Sequence, residues 1–124
     1  MAKIVISCSL LVFYLLYSFF VYTKGTEDLI RIPADEQVRI NTGKALFQQH
    51  NCTACHQLYG LGGYLGPELT TAYSDPQRGE GWMRTFLQAG GQRMPNFHFN
   101  TNEIDAIISY LKYVDRTAVT YKHR

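Results

Sequence analysis

The chain of 124 residues is long enough for one small domain and one membrane-spanning segment. Its formal net charge is +2, and residues 25–124 carry ten basic and ten acidic side chains, so the excess comes from Lys3 and Lys24. This balance argues against a protein that binds nucleic acid through a basic surface.

The first element is an uncharged, apolar run over residues 4–22, with Lys3 and Lys24 at its two ends. In a helix these residues would extend about 28 Å, close to the hydrocarbon thickness of a bilayer. A cleaved signal peptide is the alternative, but the run is long for one and no small-residue cleavage site follows it. We therefore predict a retained transmembrane anchor over residues 1–24.

A linker over residues 25–34 and a helix from Asp35 to His50 are the next predicted elements. Pro33 stands just before the predicted helix start at Asp35. The residues that recur at helical spacing on one face are Gly43, Leu46, Phe47 and His50. The helix leads directly into the motif that follows.

The pattern Cys-Thr-Ala-Cys-His at residues 52–56 is the attachment sequence for a c-type haem. In this pattern Cys52 and Cys55 form thioether bonds to the vinyl groups of one haem, and His56 is the proximal ligand of its iron. A thioredoxin-type redox pair would need a strand–helix context, and a zinc site would need two more ligands nearby. The remaining cysteine, Cys8, lies in the apolar run. We predict one covalently bound haem c.

The segment after this motif, residues 57–81, contains six glycines and two prolines. This composition is typical of loops whose backbone must come close to another group. Trp82–Ala89 is predicted to be a short helix that stops at Gly90 and Gly91.

A final helix is predicted to begin at a capping box formed by Asn100 and Glu103 and to end near Asp115. Its apolar stripe consists of Ile104, Ile107, Ile108, Leu111 and Val114. The predicted class is all-α: an N-terminal transmembrane helix and a domain over residues 35–116, followed by a polar tail over residues 117–124. The domain resembles the class I cytochrome c fold, in which the first and last helices cross where a small residue meets aromatic ones. Gly43, Phe47 and Tyr110 match that crossing.

The resemblance to class I cytochromes also suggests the sixth iron ligand. Met94 precedes a proline and lies 38 residues after the motif's histidine, within the range where that family carries its distal methionine. A thioether is a soft, neutral ligand, which favours Fe(II). Met83, His98 and His50 are the alternatives.

A further set of residues is predicted to contact the haem or its ligands. By the same resemblance, the carbonyl of Pro67 accepts the Nδ1–H of His56, which would orient the ring. Tyr64 is predicted to contribute to cofactor binding. Other candidates for haem packing or propionate bonds are Tyr59, Tyr73, Trp82 and Arg84.

A longer pattern spans residues 51–97. Beyond the haem motif it contains Gly60-Leu61-Gly62-Gly63-Tyr64-Leu65-Gly66-Pro67-Glu68-Leu69, Arg78-Gly79-Glu80-Gly81, Phe86-Leu87 and Met94-Pro95-Asn96-Phe97. This stretch resembles the small, membrane-anchored cytochrome c subunit of bacterial nitric oxide reductases, which also has one N-terminal transmembrane helix and one haem c. The present chain is more compact, with a shorter approach to Met94.

The resemblance implies a non-catalytic electron-transfer subunit. Its expected partners are a large polytopic subunit with b-type haem, a soluble cytochrome c or cupredoxin donor, and membrane lipid. It implies a single pass through the cytoplasmic membrane, with the C-terminal haem domain in the periplasm. The alternatives are a free-standing anchored cytochrome, a donor subunit of another haem–copper oxidase-type complex, and a haem enzyme or gas sensor with an open iron site.

Overall fold

The computed structural model describes residues 2–24 and 32–118 and divides the chain into two compact units, Met1–Arg31 and Ile32–Arg124. Residues 25–31 of the predicted linker and residues 119–124 of the predicted tail lie outside the described residues.

Helix α1, Ala2–Lys24, forms the first unit. It is long and apolar enough to cross a membrane, and its large apolar side chains are exposed. Such a surface is stable in lipid, whereas exposing the same apolar area to water would be unfavourable in free energy. The helix is therefore suited to membrane anchoring.

Helix α2, Ala34–Gln49, opens the second unit. Pro33 occupies its N-cap position, and Asp35 and Glu36 in the first turn interact favourably with the positive end of the helix dipole. Its buried face is built from residues three to four positions apart, namely Ile40, Gly43 and Phe47. The predicted helix from Asp35 to His50 matches this element to within one residue at each end.

The haem motif itself folds as a short 3-10 turn over Cys52–Ala54, followed by a small hairpin. Strands β1, Gln57–Leu58, and β2, Leu61–Gly62, pair antiparallel. Tyr59 and Gly60 connect them with φ angles of 53° and 76°, as a two-residue hairpin turn with positive φ at both positions requires. No sequence pattern predicted this hairpin.

Helix α3, Gly79–Ala89, begins three residues before the predicted start. Its first turn carries Glu80, whose carboxylate pairs with Arg84 one turn later at 3.0 Å. Met83 and Leu87 form its buried face. The helix ends where Gly90 adopts a φ of 73°, a conformation that favours glycine.

Helix α4, Thr101–Thr117, has the predicted capping box. The Asn100 side chain accepts a hydrogen bond from the Glu103 backbone at 3.0 Å, and the Glu103 carboxylate accepts one from the Asn100 backbone at 2.9 Å. All five residues of the predicted apolar stripe are buried. The predicted start of α4 is confirmed, and the helix continues two residues beyond Asp115.

Helices α2 and α4 cross at Gly43, as the resemblance to class I cytochromes predicts. A Cβ atom at this position would collide with the backbone carbonyl of Ala106. Beside it, the rings of Phe47 and Tyr110 pack with their centroids 5.6 Å apart. The all-α class and the position of the crossing are confirmed.

The segment over residues 68–78 is held in place by polar contacts as well as by packing. Asp115 of α4 is 3% exposed, and its carboxylate accepts hydrogen bonds from both the backbone and the hydroxyl of Ser74 at 2.8 Å. Arg78 donates to the carbonyl of Glu68 at 2.7 Å. A buried carboxylate is stable only with such donors, so these contacts hold residues 68–78 in one arrangement.

Candidate haem-binding site

The second unit contains a partly open cavity of about 400 Å³, here called the central cavity. Its walls come from α2, the haem-motif turn, the loop at residues 65–69, α3, the segment before α4, and α4 itself. Five of the six sequence-predicted site residues lie along it: Cys52, Cys55, His56, Pro67 and Met94. Most of the other lining side chains are apolar or aromatic, as expected for a site that binds a flat organic cofactor.

The two cysteines reach the central cavity because the chain turns tightly at the end of α2. Asn51 adopts a left-handed φ of 50°, and the His56 backbone donates to the carbonyl of Cys52 at 2.9 Å. Both thiols are free and half-buried. Burial, with a smaller contribution from Cys55, raises the pKa of the Cys52 thiol to about 11. In the folded, unmodified chain this thiol is protonated at neutral pH.

His56 is oriented by the carbonyl of Pro67, which lies 2.8 Å from its Nδ1 atom. A carbonyl can only accept, so Nδ1 carries a proton, and in the neutral ring the lone pair is therefore on Nε2. An imidazole in this tautomer is prepared to bind a metal ion through Nε2. This contact is the one that the resemblance predicts.

Gly66 is a site residue that the sequence analysis did not single out. A Cβ atom at this position would collide with the imidazole ring of His56. Its backbone N–H donates to the carbonyl of Cys55 at 2.8 Å, and that of Gly63 donates to Thr53 at 2.9 Å. The loop therefore lies directly against the haem motif. The number of glycines indicated close backbone approach but not which residue each would meet.

Met94 is half-buried, lines the central cavity and packs against the hydrophobic core. Its carbonyl accepts a hydrogen bond from the Gly91 backbone at 2.8 Å, which holds the loop before α4 in place. Among the alternative ligands, Met83 is 3% exposed within the core and also lines the cavity. His98 is exposed and lies outside the lining.

His50 also lines the central cavity, but it lies at the end of α2 among aromatic rings. Its ring packs edge-on against those of Phe97 and Phe99, with centroid distances of 5.1 and 4.8 Å. This packing is consistent with a structural role for His50.

Tyr64 does not line the central cavity and is 88% exposed. The geometry lends no support to its predicted part in cofactor binding. Of the four further candidates for haem packing, only Trp82 lies in the lining. Arg93, which was not predicted as a site residue, lines the cavity next to Met94.

The donor set fits a haem c. Two thiols, an imidazole with its Nε2 lone pair free, and a thioether line one apolar cavity. The described ranges, 2–24 and 32–118, contain no group of three or more His, Cys, Asp or Glu side chains that could hold a metal ion by themselves. The arrangement thus suits a metal carried by an organic ring better than a zinc site.

Comparison with known proteins agrees with this geometry. The model of the family described as cytochrome c oxidase, cbb3-type, subunit III matches residues 38–111. The chain is 30% identical over 84 residues to a nitric oxide reductase subunit of Stutzerimonas stutzeri, covering 60% of this chain and 57% of the relative. It is 25% identical over 85 residues to the equivalent subunit of Halomonas halodenitrificans, covering 59% and 57%, and 27% over 86 residues to that of Cereibacter sphaeroides, covering 60% and 58%.

The aligned region spans less than two thirds of the length of these relatives. The family match covers more than half of the present chain, and it includes the haem motif, the Gly43 crossing and Met94. The chain therefore belongs to the cytochrome c family described by subunit III of cbb3-type cytochrome c oxidase.

Proposed function

We propose that this chain is a membrane-anchored, monohaem c electron-transfer subunit of a nitric oxide reductase complex. Residues 1–24 would be the anchor, 25–34 the linker, 35–116 the haem domain and 117–124 the tail. The family membership supports the cytochrome domain, and the apolar helix α1 supports the anchor. The names of the three relatives support the choice of complex.

The side chains that line the central cavity indicate which residues would hold the cofactor. Cys52 and Cys55 would bind it through thioether bonds, while His56 and Met94 would be ligands of its iron. Once bound, a haem c supplies an iron centre that gains and loses one electron reversibly. The carbonyl of Pro67 would keep the His56 ring oriented, and His56 and Met94 together would favour electron transfer over binding of a substrate at the iron.

The partners and orientation are parts of the same proposal. Haem c is attached on the outer side of energy-conserving membranes, so the haem domain would face the periplasm. A soluble cytochrome c or cupredoxin would deliver electrons, and a large polytopic subunit with b-type haem would receive them. The present chain would supply no catalytic residue.

The His56–Pro67 hydrogen bond beside the two free thiols of the central cavity is the observation that carries the haem assignment. The test is a mild-detergent purification of the tagged chain from its native membranes. We expect a low-spin c-type spectrum, a co-purifying subunit with b-type haem, and consumption of nitric oxide. A Cys52→Ala/Cys55→Ala chain, purified in parallel, should lack the c-type spectrum.

A second candidate is a donor subunit of a cbb3-type or related oxidase, which the family match favours. The same preparation separates the two, because an oxidase complex would consume oxygen and leave nitric oxide unreduced. A chain that purifies alone with only a low-spin haem c would instead identify a free-standing anchored cytochrome. Absence of any covalent haem would overturn all three.

A further inference from the structure

The geometry points to Arg93 as the residue that binds the carboxylates of the cofactor, and this inference rests on the proposed haem c. Haem c carries two propionate groups, which are anionic at neutral pH. A carboxylate placed against an apolar wall needs hydrogen-bond donors or a counter-charge to offset its lost hydration. The central cavity must therefore offer such groups at the edge where these carboxylates lie.

The charged side chains available for this task are few. Among the described residues that line the central cavity, Arg93 is the only Lys, Arg, Asp or Glu. The lining also contains neutral N–H donors, which belong to Asn51, Gln92 and Trp82. No carboxylate lines the described part of the cavity to compete for the guanidinium.

Arg93 also differs from most arginines of the same unit. Arg78, Arg84 and Arg116 each form an ion pair with an Asp or Glu side chain. Within residues 32–118, Arg93 forms no ion pair with another side chain. A guanidinium has five N–H donors in a planar fork that matches a carboxylate bidentately, so an unpaired Arg at this position is well suited to a propionate.

The backbone keeps Arg93 close to the cofactor ligands. It lies between Gly91 and Met94, whose backbone groups are hydrogen-bonded at 2.8 Å. Gly90 allows this segment to fold back closely, because a Cβ atom at position 90 would collide with the backbone of Met94 and Asn96. The side chain of Arg93 therefore begins from a fixed point beside the predicted axial methionine. Arg93 is exposed, so solvent partly screens its charge, but a positive charge near the cofactor would still favour Fe(II) over Fe(III).

The experiment compares Arg93→Gln, Arg93→Lys and Arg39→Gln in the full-length, haem-loaded chain. Arg39 is an exposed arginine of α2 that makes no ion pair among the described residues and does not line the cavity, which makes it a matched control. Each variant is studied by spectroelectrochemical titration and by resonance Raman spectroscopy of the propionate bending modes.

Arg93→Gln is expected to lower the midpoint potential and shift a propionate bending mode. Arg93→Lys should restore most of the potential but not the Raman frequency, because an ammonium lacks the planar fork. Arg39→Gln should leave both unchanged. A Raman spectrum of Arg93→Gln identical to that of the unmodified chain would overturn the inference, and so would an equal change of potential in Arg39→Gln. Absence of covalent haem from the unmodified chain would instead overturn the proposed function.

Discussion

Gly66 determines where the His56 imidazole can lie, because a side chain at position 66 would occupy the volume of the ring. We expect Gly66→Ala to displace the ring and break its bond to Pro67. The loss of this bond would make the imidazole a weaker electron donor and raise the midpoint potential. Crowding would also lower the free energy of unfolding by about 1–3 kcal/mol. Redox titration and chemical denaturation measure the two effects.

Gly81→Ala is the matched control for this substitution. Gly81 lies in α3, and a Cβ there would meet no atom within 4 Å. Alanine is favoured over glycine in a helix, so this variant should be neutral or more stable by up to about 1 kcal/mol. If both glycine variants behaved alike, the steric account of Gly66 would be wrong.

The assignment of Met94 as the distal ligand predicts a change in ligand binding. Leucine has a similar volume to methionine but no donor atom, so Met94→Leu should let the reduced protein bind carbon monoxide rapidly. Met83→Leu is the matched control, because Met83 lines the same cavity from α3. It should retain the closed, low-spin spectrum. Rapid carbon monoxide binding by Met83→Leu and not by Met94→Leu would reverse the assignment.

At the scale of elements, the crossing of α2 and α4 depends on the absence of a side chain at Gly43. Gly43→Ala would push the new methyl group into the carbonyl of Ala106. We expect a net loss of about 1–3 kcal/mol in the free energy of unfolding, even after the gain in helix propensity. The exposed neighbour Lys44 provides the control, because Lys44→Ala should change the free energy of unfolding by no more than about 0.5 kcal/mol. Urea denaturation checks both values.

The helices could be predicted from the sequence because each has a local signal. The spacing of Gly43 and Phe47 defined α2, and the Asn100–Glu103 box defined the start of α4. The start of α3 was missed because Gly79 and Gly81 resemble a loop, whereas the Glu80–Arg84 pair and the packing of Met83 support a helix there. The hairpin at residues 57–62 is too short to show a two-residue periodicity.

The candidate site was predictable to the extent that it lies in contiguous motifs. Cys52, Cys55, His56 and Met94 belong to such motifs, and the structure brings them around one cavity. The lining position of Arg93 and the exposure of Tyr64 depend on how distant loops pack, which no local pattern encodes.

At the scale of the whole molecule, the central cavity is large for the unit that surrounds it. The cavity is also partly open to solvent, so without a cofactor its mostly apolar lining would be in contact with water, which is unfavourable. Several lining residues, such as Phe47, Leu87 and Ile107, are also core residues. The cofactor would therefore complete the core as well as carry out the chemistry.

This role predicts a strong effect of removing the attachment points. Cys52→Ala/Cys55→Ala should lose the haem during purification and unfold with a shallow, poorly cooperative transition. Cys8→Ala is the control, because that thiol lies in α1 and is exposed, and it should retain the haem and a cooperative transition. Circular dichroism during thermal unfolding measures both. A sharp transition in the haem-free double variant would show that the domain closes without the cofactor.

The packing of α2 against α4 has a consequence for the order of events during synthesis. The two helices are separated by residues 50–100, so their contact forms only after the last part of the domain has been made. Until then the thiols of Cys52 and Cys55 belong to an open chain. After closure, burial raises the pKa of the Cys52 thiol to about 11, so the reactive thiolate is much scarcer at neutral pH than in the open chain. We therefore expect the cofactor to be attached after residues 52–56 have reached the outer side of the membrane and before α4 docks against α2.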